Sequence, residues 1–415
     1  MAPRSQSLPR RLAPLLLAGL VLACRGEPVG GQQRAVAIER IVDSLRPAVE
    51  RAAGMRFRTP PRSAMRSREQ VASYLAAKLD EELPTPRAEG LEAAYRLFGL
   101  LPDSVRLRPL LLDLLTEQVV GFYDADSLTL FGVTGGDPSQ LRLVLAHEMV
   151  HALQGQYLPL DSLLNDRTSN DRSTARQAVL EGQATLASLR VLAPGQDVAT
   201  NPDFWEAYRD QVRAAQTAMP KLAAAPLVVR EGLIFPYIEG AAFMRWYGQR
   251  HPDSLPYGAR MPVSTEQVLH PERYARGDRP VPLRFAGDST DVIHEDVLGE
   301  LEIKVLRAEL AAPDHLMPPG ALGWGADRYR VVRTAAGGPA IVWYTVWDDV
   351  PARDRFLNDT GRLLRGRRRA GYRSEVTSVD VDGRAGVRWV FAPAGWAGWG
   401  RVPGVEIGGG AGVGG

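Results

Sequence analysis

The stretch LRLVLAHEMVHALQGQY, residues 141–157, sets two histidines four residues apart around a glutamate, inside an apolar run. On a helix, positions four apart lie one above the other, with Cβ atoms about 5–6 Å apart. His147 and His151 therefore aim two imidazoles at one point. A zinc ion takes nitrogen at about 2.0–2.1 Å, and such a pair can bracket it. Glu148 falls beside that point, where a carboxylate suits a general base acting on water. Leu143, Val144, Leu145, Met149, Val150 and Leu153 cover most of the remaining circumference. The helix is therefore expected to be buried. Buried histidines need partners; a metal is one, and the backbone carbonyls of a packed core are the other.

A catalytic zinc takes three protein ligands and keeps a fourth position for water. A metzincin continuation would place Gly at 154 and His at 157; the chain has Gln154 and Tyr157, which excludes that arrangement. A glutamate from a following helix is the other common third ligand. The segment AVLEGQATL supplies Glu181 among Ala, Val and Leu, where a carboxylate is costly unless paired or metal-bound. Thr185, one turn on, is expected to orient a ligand histidine from behind.

This pattern, HExxH followed by a helical Glu about 30 residues later, resembles the gluzincin branch of the zincin metallopeptidases. EQVVGFYD, HEMVHALQ, LEGQAT, FPYIEGAAF and STEQVLHPERY together resemble a group of bacterial zinc-peptidase-like lipoproteins. The likeness spans roughly residues 50–350 and is specific in the metal core. It implies an α+β zincin-like core, a small sheet with the HExxH helix and a helical lobe. It implies one Zn2+ per chain held by His147, His151 and Glu181, Glu148 as base, and peptide-bond hydrolysis. It also implies that a hairpin at 119–133 forms the sheet edge beside the cleft, where extended substrate pairs. The chain departs at Thr185, where many gluzincins carry an acidic residue. Gluzincins stabilise the oxyanion with a downstream His or Tyr, for which the candidates are Tyr237, His270 and Tyr274. Tyr237 also reads as a half-buried aromatic at a helix start, and His270 as a residue bonding across its own turn. His251, His294 and His315 stand in polar contexts and are expected at the surface.

Several elements must position these residues. GGDPSQ at 135–140 opens the HExxH helix, with Asp137 as the expected cap and Pro138 just inside. Before it, VVGFYDADSLTLFGV reads as a hairpin around residues 124–127. After it, LPLDSLLNDRTSNDR reads as a polar loop, and STARQAVLEGQATLASLRVL as a second helix. Upstream, helices are expected over AVAIERIVDSLRPAVERAAG, SREQVASYLAAKLDEEL (capped by Ser67), EGLEAAYRLFGLL and RLRPLLLDLLTEQ, with a short strand at MRFRTP. Downstream, helices are expected around 202–219 and 236–250, an irregular connection at 252–286, and a helix at DVLGELEIKVLRAEL. Strands RYRVVR, AIVWYTVW, VTSVDVDG and GVRWVFA with one helix, ARDRFLNDTGRLL, then make a smaller α+β domain of roughly 130 residues. Its GWGADRYRVV and YTVWDD segments are dense in Trp and Tyr, which either fill its core or face a binding partner.

The N-terminus MAPRSQSLPRRLAPLLLAGLVLAC has a charged start and a short apolar run, the form of a secretory signal. The run is shorter than the roughly 20 residues a membrane span needs. It ends in VLAC, and Cys24 is the sole cysteine, so no intrachain disulfide can form. This resembles a bacterial lipoprotein signal, cleaved before Cys24 with lipid on its sulfur, with Val21 where Leu is usual. The resulting expectation is a cell-envelope protein held to the membrane by that lipid. The net charge of +2 gives no sign of nucleic-acid binding. The domains expected are the signal at 1–23, a tether at 24–35, the zincin-like domain at 36–285, the C-terminal α+β domain at 286–405 and a disordered Gly-rich tail at 406–415. Two other classes remain open: a zinc-binding envelope lipoprotein serving as scaffold, and an assembly or chaperone-like factor working through the C-terminal domain.

Overall fold

The computed structural model describes residues 31–135, 138–164, 168–287, 289–311 and 322–408. The signal at 1–23, Cys24, residues 24–30 of the tether, Asp137, His315 and residues 409–415 of the tail lie outside them. In chain order the elements begin with α1 (Gly31–Ala53), β1 (Arg62–Arg66), α2 (Arg68–Glu82), α3 (Thr85–Phe98) and α4 (Leu107–Gln118). A hairpin, β2 (Gly121–Asp124) and β3 (Thr129–Val133), precedes α5 (Pro138–Tyr157), α6 (Leu160–Leu164), α7 (Asn170–Leu192) and α8 (Pro202–Ala218). Then come α9 (Pro220–Ala223), α10 (Leu227–Arg250), α11 (Thr265–Leu269), α12 (Pro271–Ala275), β4 (Leu283–Phe285), β5 (Val292–Asp296) and α13 (Gly299–Ala311). The chain closes with β6 (Trp324–Val332), β7 (Ala340–Trp347), α14 (Val350–Phe356), α15 (Arg362–Arg365), β8 (Tyr372–Val381), β9 (Arg384–Pro393) and β10 (Val405–Ile407).

These elements form two units built from interleaved segments. The first holds the described residues of Met1–Pro84, Leu111–Asn165 and Gln183–Ala207, the second those of Thr85–Leu110, Asp166–Gly182 and Tyr208–Gly415. The expected domain boundary near 285 falls inside the second unit. Helix α7 gives its first half to the second unit and its last half to the first.

In the first unit a three-stranded sheet runs in the order β1-β3-β2, with β1 parallel and β2 antiparallel to β3. Helix α5 packs on α1 and on the hairpin. Ile38, Val42, Leu45 and Val49, a helical stripe of α1, meet Leu145, Met149, Val150 and Leu153 of α5 and Ala184 and Ala187 of α7. Each large aliphatic side chain so buried contributes about 1.5–3 kcal/mol. A second cluster joins Val71, Leu75 and Leu79 of α2 to Leu115, Phe122 and Phe131. Ser67 caps α2 through a capping box with Gln70, as expected. The strand expected at MRFRTP lies instead at Arg62–Arg66. Three amides of MRFRTP are taken by side chains: Phe57 donates to Glu50, and Arg58 and Thr59 to Gln156. Residues 31–35, expected in the tether, are helical, and the loop expected at 158–172 holds α6 and the start of α7.

In the second unit an antiparallel sheet runs β5-β6-β7-β9-β8. The Trp and Tyr residues of β6, β7 and β9 are core: Phe98 of α3 meets Tyr329, Trp343 and Trp389 at ring-centroid distances of 5.3, 5.2 and 5.4 Å. Asp327 accepts the amides of Leu298 and Gly299, at the start of α13, and the indoles of Trp324 and Trp343. Helix α10 begins nine residues before the expected start at 236. Pro236 removes one helical hydrogen bond, but the buried Val228, Val229, Ile234 and Phe235 hold the preceding turns in place. The irregular connection at 252–286 contains α11, α12 and β4. Residues 406 and 407, expected in the disordered tail, belong to β10, which pairs with β4 and lays Val405 and Ile407 against the apolar cluster of Leu283 and Val342.

Candidate metal centre

The middle of helix α5 is enclosed by protein. Every described residue from Val144 to Gln154 is buried. The helix delivers His147 and His151 to one side, with ring centroids 4.8 Å apart and the two Nε2 atoms 3.1 Å apart. Glu181, on the uninterrupted α7, completes the group: one ligand atom from each of His147, His151 and Glu181 lies within 4.8 Å of the others. His147 is 6% exposed, and Glu148, His151 and Glu181 are 0% exposed.

Two glycines bring the middle of α7 against α10. A Cβ at Gly182 would lie 2.2 Å from the carbonyl carbon and oxygen of Gly240. One at Gly240 would lie 2.1 Å from the carbonyl oxygen of Ala178. The two backbones touch there, and Glu181 is the neighbour of that contact.

Glu148 is tied to the hairpin. Its Oε2 accepts the amide of Tyr123 at 2.9 Å. Tyr123 sits on β2, the outer strand of the three-stranded sheet, and this amide points away from β3. His151 is held from behind: its Nδ1 lies 2.8 Å from Gln154 Oε1. Gln154 Nε2 donates to Gln183 Oε1 at 2.8 Å, and Gln183 Nε2 donates to the carbonyl of Ala53 at 3.0 Å.

The sequence-expected residues divide as follows. His147, His151 and Glu181 are brought together, with Glu148 adjacent on α5. Thr185 is buried on α7, but the partner at His151 Nδ1 is Gln154. Tyr237 is a buried mid-helix residue of α10, three residues before the contact at Gly240, and not a helix-start residue. His270 caps α12 and places Nε2 2.9 Å from Glu300 Oε1, with Lys304 Nζ 3.5 Å from the same oxygen. Tyr274 donates its hydroxyl to the carbonyl of Arg260 at 2.7 Å. His251 is exposed as expected. His294 is not a surface residue: it packs against Gly90 in the second unit, and burial lowers its pKa. Gln154 and Gln183 were not singled out by the sequence reading. Their only signal is position, three residues after His151 and two after Glu181.

Residues 288–398 match a family described as a domain of unknown function, DUF8575. The matched stretch holds β5 to β9 and α13 to α15 and none of the four residues of the candidate centre. No protein of curated function matches the sequence. Among solved structures the chain is similar to the crystal structure of a proposed hydrolase with a novel fold from Chloroflexus aurantiacus. That likeness has a TM-score of 0.39 and 19% identity, over 61% of this chain and 93% of the other.

The donor set of the candidate centre is two imidazole nitrogens and one carboxylate oxygen, all buried. That mixture suits zinc, whereas magnesium and calcium favour all-oxygen sites. Three protein donors also leave a fourth tetrahedral position. The residues present could therefore hold a single metal ion.

Proposed function

We propose that the chain is a zinc-dependent peptidase held in a bacterial cell envelope by lipid on Cys24, acting on peptide or protein substrates. The observation that carries the hydrolytic reading is the buried group of His147, His151 and Glu181 with Glu148 beside it on α5. Glu148 is not needed to complete the three-donor set. The envelope and lipid parts rest on the N-terminal sequence alone. No helix among the described residues is long and apolar enough to cross a membrane.

Zinc, when bound, supplies Lewis acidity that acidifies water and polarises a scissile carbonyl. His147, His151 and Glu181 hold it. Glu148 removes the proton from the attacking water and passes it to the leaving amine. The Tyr123 amide on Oε2 fixes the direction of that carboxylate. Tyr237, on the helix that touches α7 beside Glu181, supplies the donor for the developing oxyanion. His270, engaged with Glu300, is the less favoured donor. Extended substrate pairs along the outer edge of β2.

The bond between Glu148 and Tyr123 also favours a second reading, a zinc-binding scaffold in which Glu148 serves only to join α5 to the hairpin. Protein from residue 25 onward, loaded with zinc and given a diverse peptide library, separates the two. Cleavage read by mass spectrometry for wild type but not for Glu148→Gln supports the peptidase. A folded, zinc-loaded wild type that cleaves nothing favours the scaffold.

A further inference from the structure

Gln154 and Gln183 lie inside the first unit, bordered by the cluster that contains Met149, Leu153, Ala184 and Ala187. Two amides in such a place are costly unless every polar atom is used. Leu or Met would fill the same space without that cost. The amides are joined head to tail, and the order of their bonds is decided at one end. The carbonyl of Ala53 can only accept, so the end of Gln183 that faces it is the NH2 group. Gln183 therefore turns Oε1 to Gln154 and receives its NH2. Gln154 then turns Oε1 to His151, where Nδ1 must be the donor.

We infer that Ala53, Gln183 and Gln154 form a relay that sets the tautomer of His151, holding its proton on Nδ1 and leaving Nε2 as a bare lone pair for a metal ion. The metal part of this inference rests on the reading of the site given above; the tautomer part does not. The donors then run one way, from His151 through Gln154 and Gln183 to the last residue of α1. Gln154 and Gln183 are positioning residues: they act through His151. Because Ala53, Gln154 and Gln183 belong to α1, α5 and α7, the docking of α1 decides which nitrogen of His151 is available.

The test uses the full chain in detergent, labelled with 15N histidine and free of metal. Long-range proton–nitrogen correlations show which ring nitrogen carries the proton, and the loss of signals in His151→Gln assigns them among the six histidines. Wild type is expected to show Nδ1 protonated and Nε2 bare. Gln154→Met and Gln183→Met are expected to populate the Nε2-protonated form. Gln154→Glu still accepts from Nδ1 although it can no longer donate to Gln183 Oε1, and is expected to keep the proton on Nδ1. Competition with a chromophoric chelator then measures zinc itself. The two Met variants are expected to bind it about 10- to 100-fold more weakly, and Gln154→Glu close to wild type.

A proton on Nε2 in wild type overturns the relay, whether or not any variant folds. An unchanged tautomer in folded Gln154→Met and Gln183→Met overturns it too. Shifted tautomers with equal zinc affinity overturn the positioning role. A wild type that shows the stated tautomer but binds no zinc removes the metal reading and leaves the relay standing.

Discussion

The amide of Tyr123 donates to the Glu148 carboxylate at 2.9 Å, so the outer strand of the hairpin and the central helix of the first unit share one hydrogen bond. A glutamine can accept that bond but cannot act as the base. Glu148→Gln is therefore expected to keep the wild-type melting temperature within a few degrees and to lose peptide hydrolysis by about 100- to 10,000-fold. Glu148→Ala removes both and is expected to be less stable as well. Equal cleavage by wild type and Glu148→Gln would show that some other group takes the proton.

Ligand binding to the folded state alone stabilises it by mass action, by about 2.7 kcal/mol at a hundredfold excess over Kd. Zinc is expected to raise the melting temperature of wild type, and a chelator to reverse the rise. His151→Ala and Glu181→Gln are each expected to abolish most of the shift, measured by calorimetry at matched zinc concentration. A full zinc-dependent shift in His151→Ala would place the ion elsewhere.

Gly182→Ala and Gly240→Ala each push a methyl group into the backbone of the other helix, at 2.2 and 2.1 Å. The helices must separate, and overpacking of this kind costs about 1–3 kcal/mol or more. Chemical denaturation should show the loss, and zinc affinity should fall with it because Glu181 moves with α7. Wild-type stability in both variants would mean that the helices are not in contact there.

Burial pushes the carboxyl of Asp171 up to about 7, against the opposing bonds from Thr265. It pushes Asp327 up to about 6 in the same way. Both values lie above the unfolded value of about 3.9. The folded state therefore holds protons that the unfolded chain has already released. This contribution to stability is fully present below about pH 4 and is lost as pH rises through 6 and 7. Asp171→Asn keeps an acceptor for Thr265 and has no proton to lose. Its denaturation midpoint is expected to fall less between pH 5 and pH 8 than that of wild type. Identical slopes would show that Asp171 is ionised throughout.

The sequence carried the centre of this site because helical spacing is a rigid rule. Once α5 is a helix, His147 and His151 must face one way, and a lone carboxylate in an apolar helix, Glu181, needs a reason to be there. The long helices and four strands of the five-stranded sheet, β6 to β9, were legible from the same periodicities. The misses have local causes. MRFRTP has strand-like composition, but the amides of Phe57, Arg58 and Thr59 are satisfied by the side chains of Glu50 and Gln156, the second of them remote in sequence. Pro236 looked like a helix start because its two preceding turns are held by burial, which a local pattern does not show. β4, β5 and β10 are too short to produce an alternation. Gln154 and Gln183 are ordinary polar residues in the sequence; only the fold reveals that they touch each other and that Gln183 meets a carbonyl 130 residues away.

The pairing of β10 with β4 joins Val405 to Phe285, positions 120 residues apart in order of synthesis. At about 5–20 residues per second, β4 waits roughly 6 to 24 seconds on the ribosome before its partner has been made. Throughout that interval it offers an open edge to any other nascent strand. A strand of only three residues limits that hazard. The clasp it later forms lies outside residues 288–398, the stretch that matches a known family. A fragment cut to those limits would leave the bordering sheet without its cover of Leu283, Phe285, Val405 and Ile407.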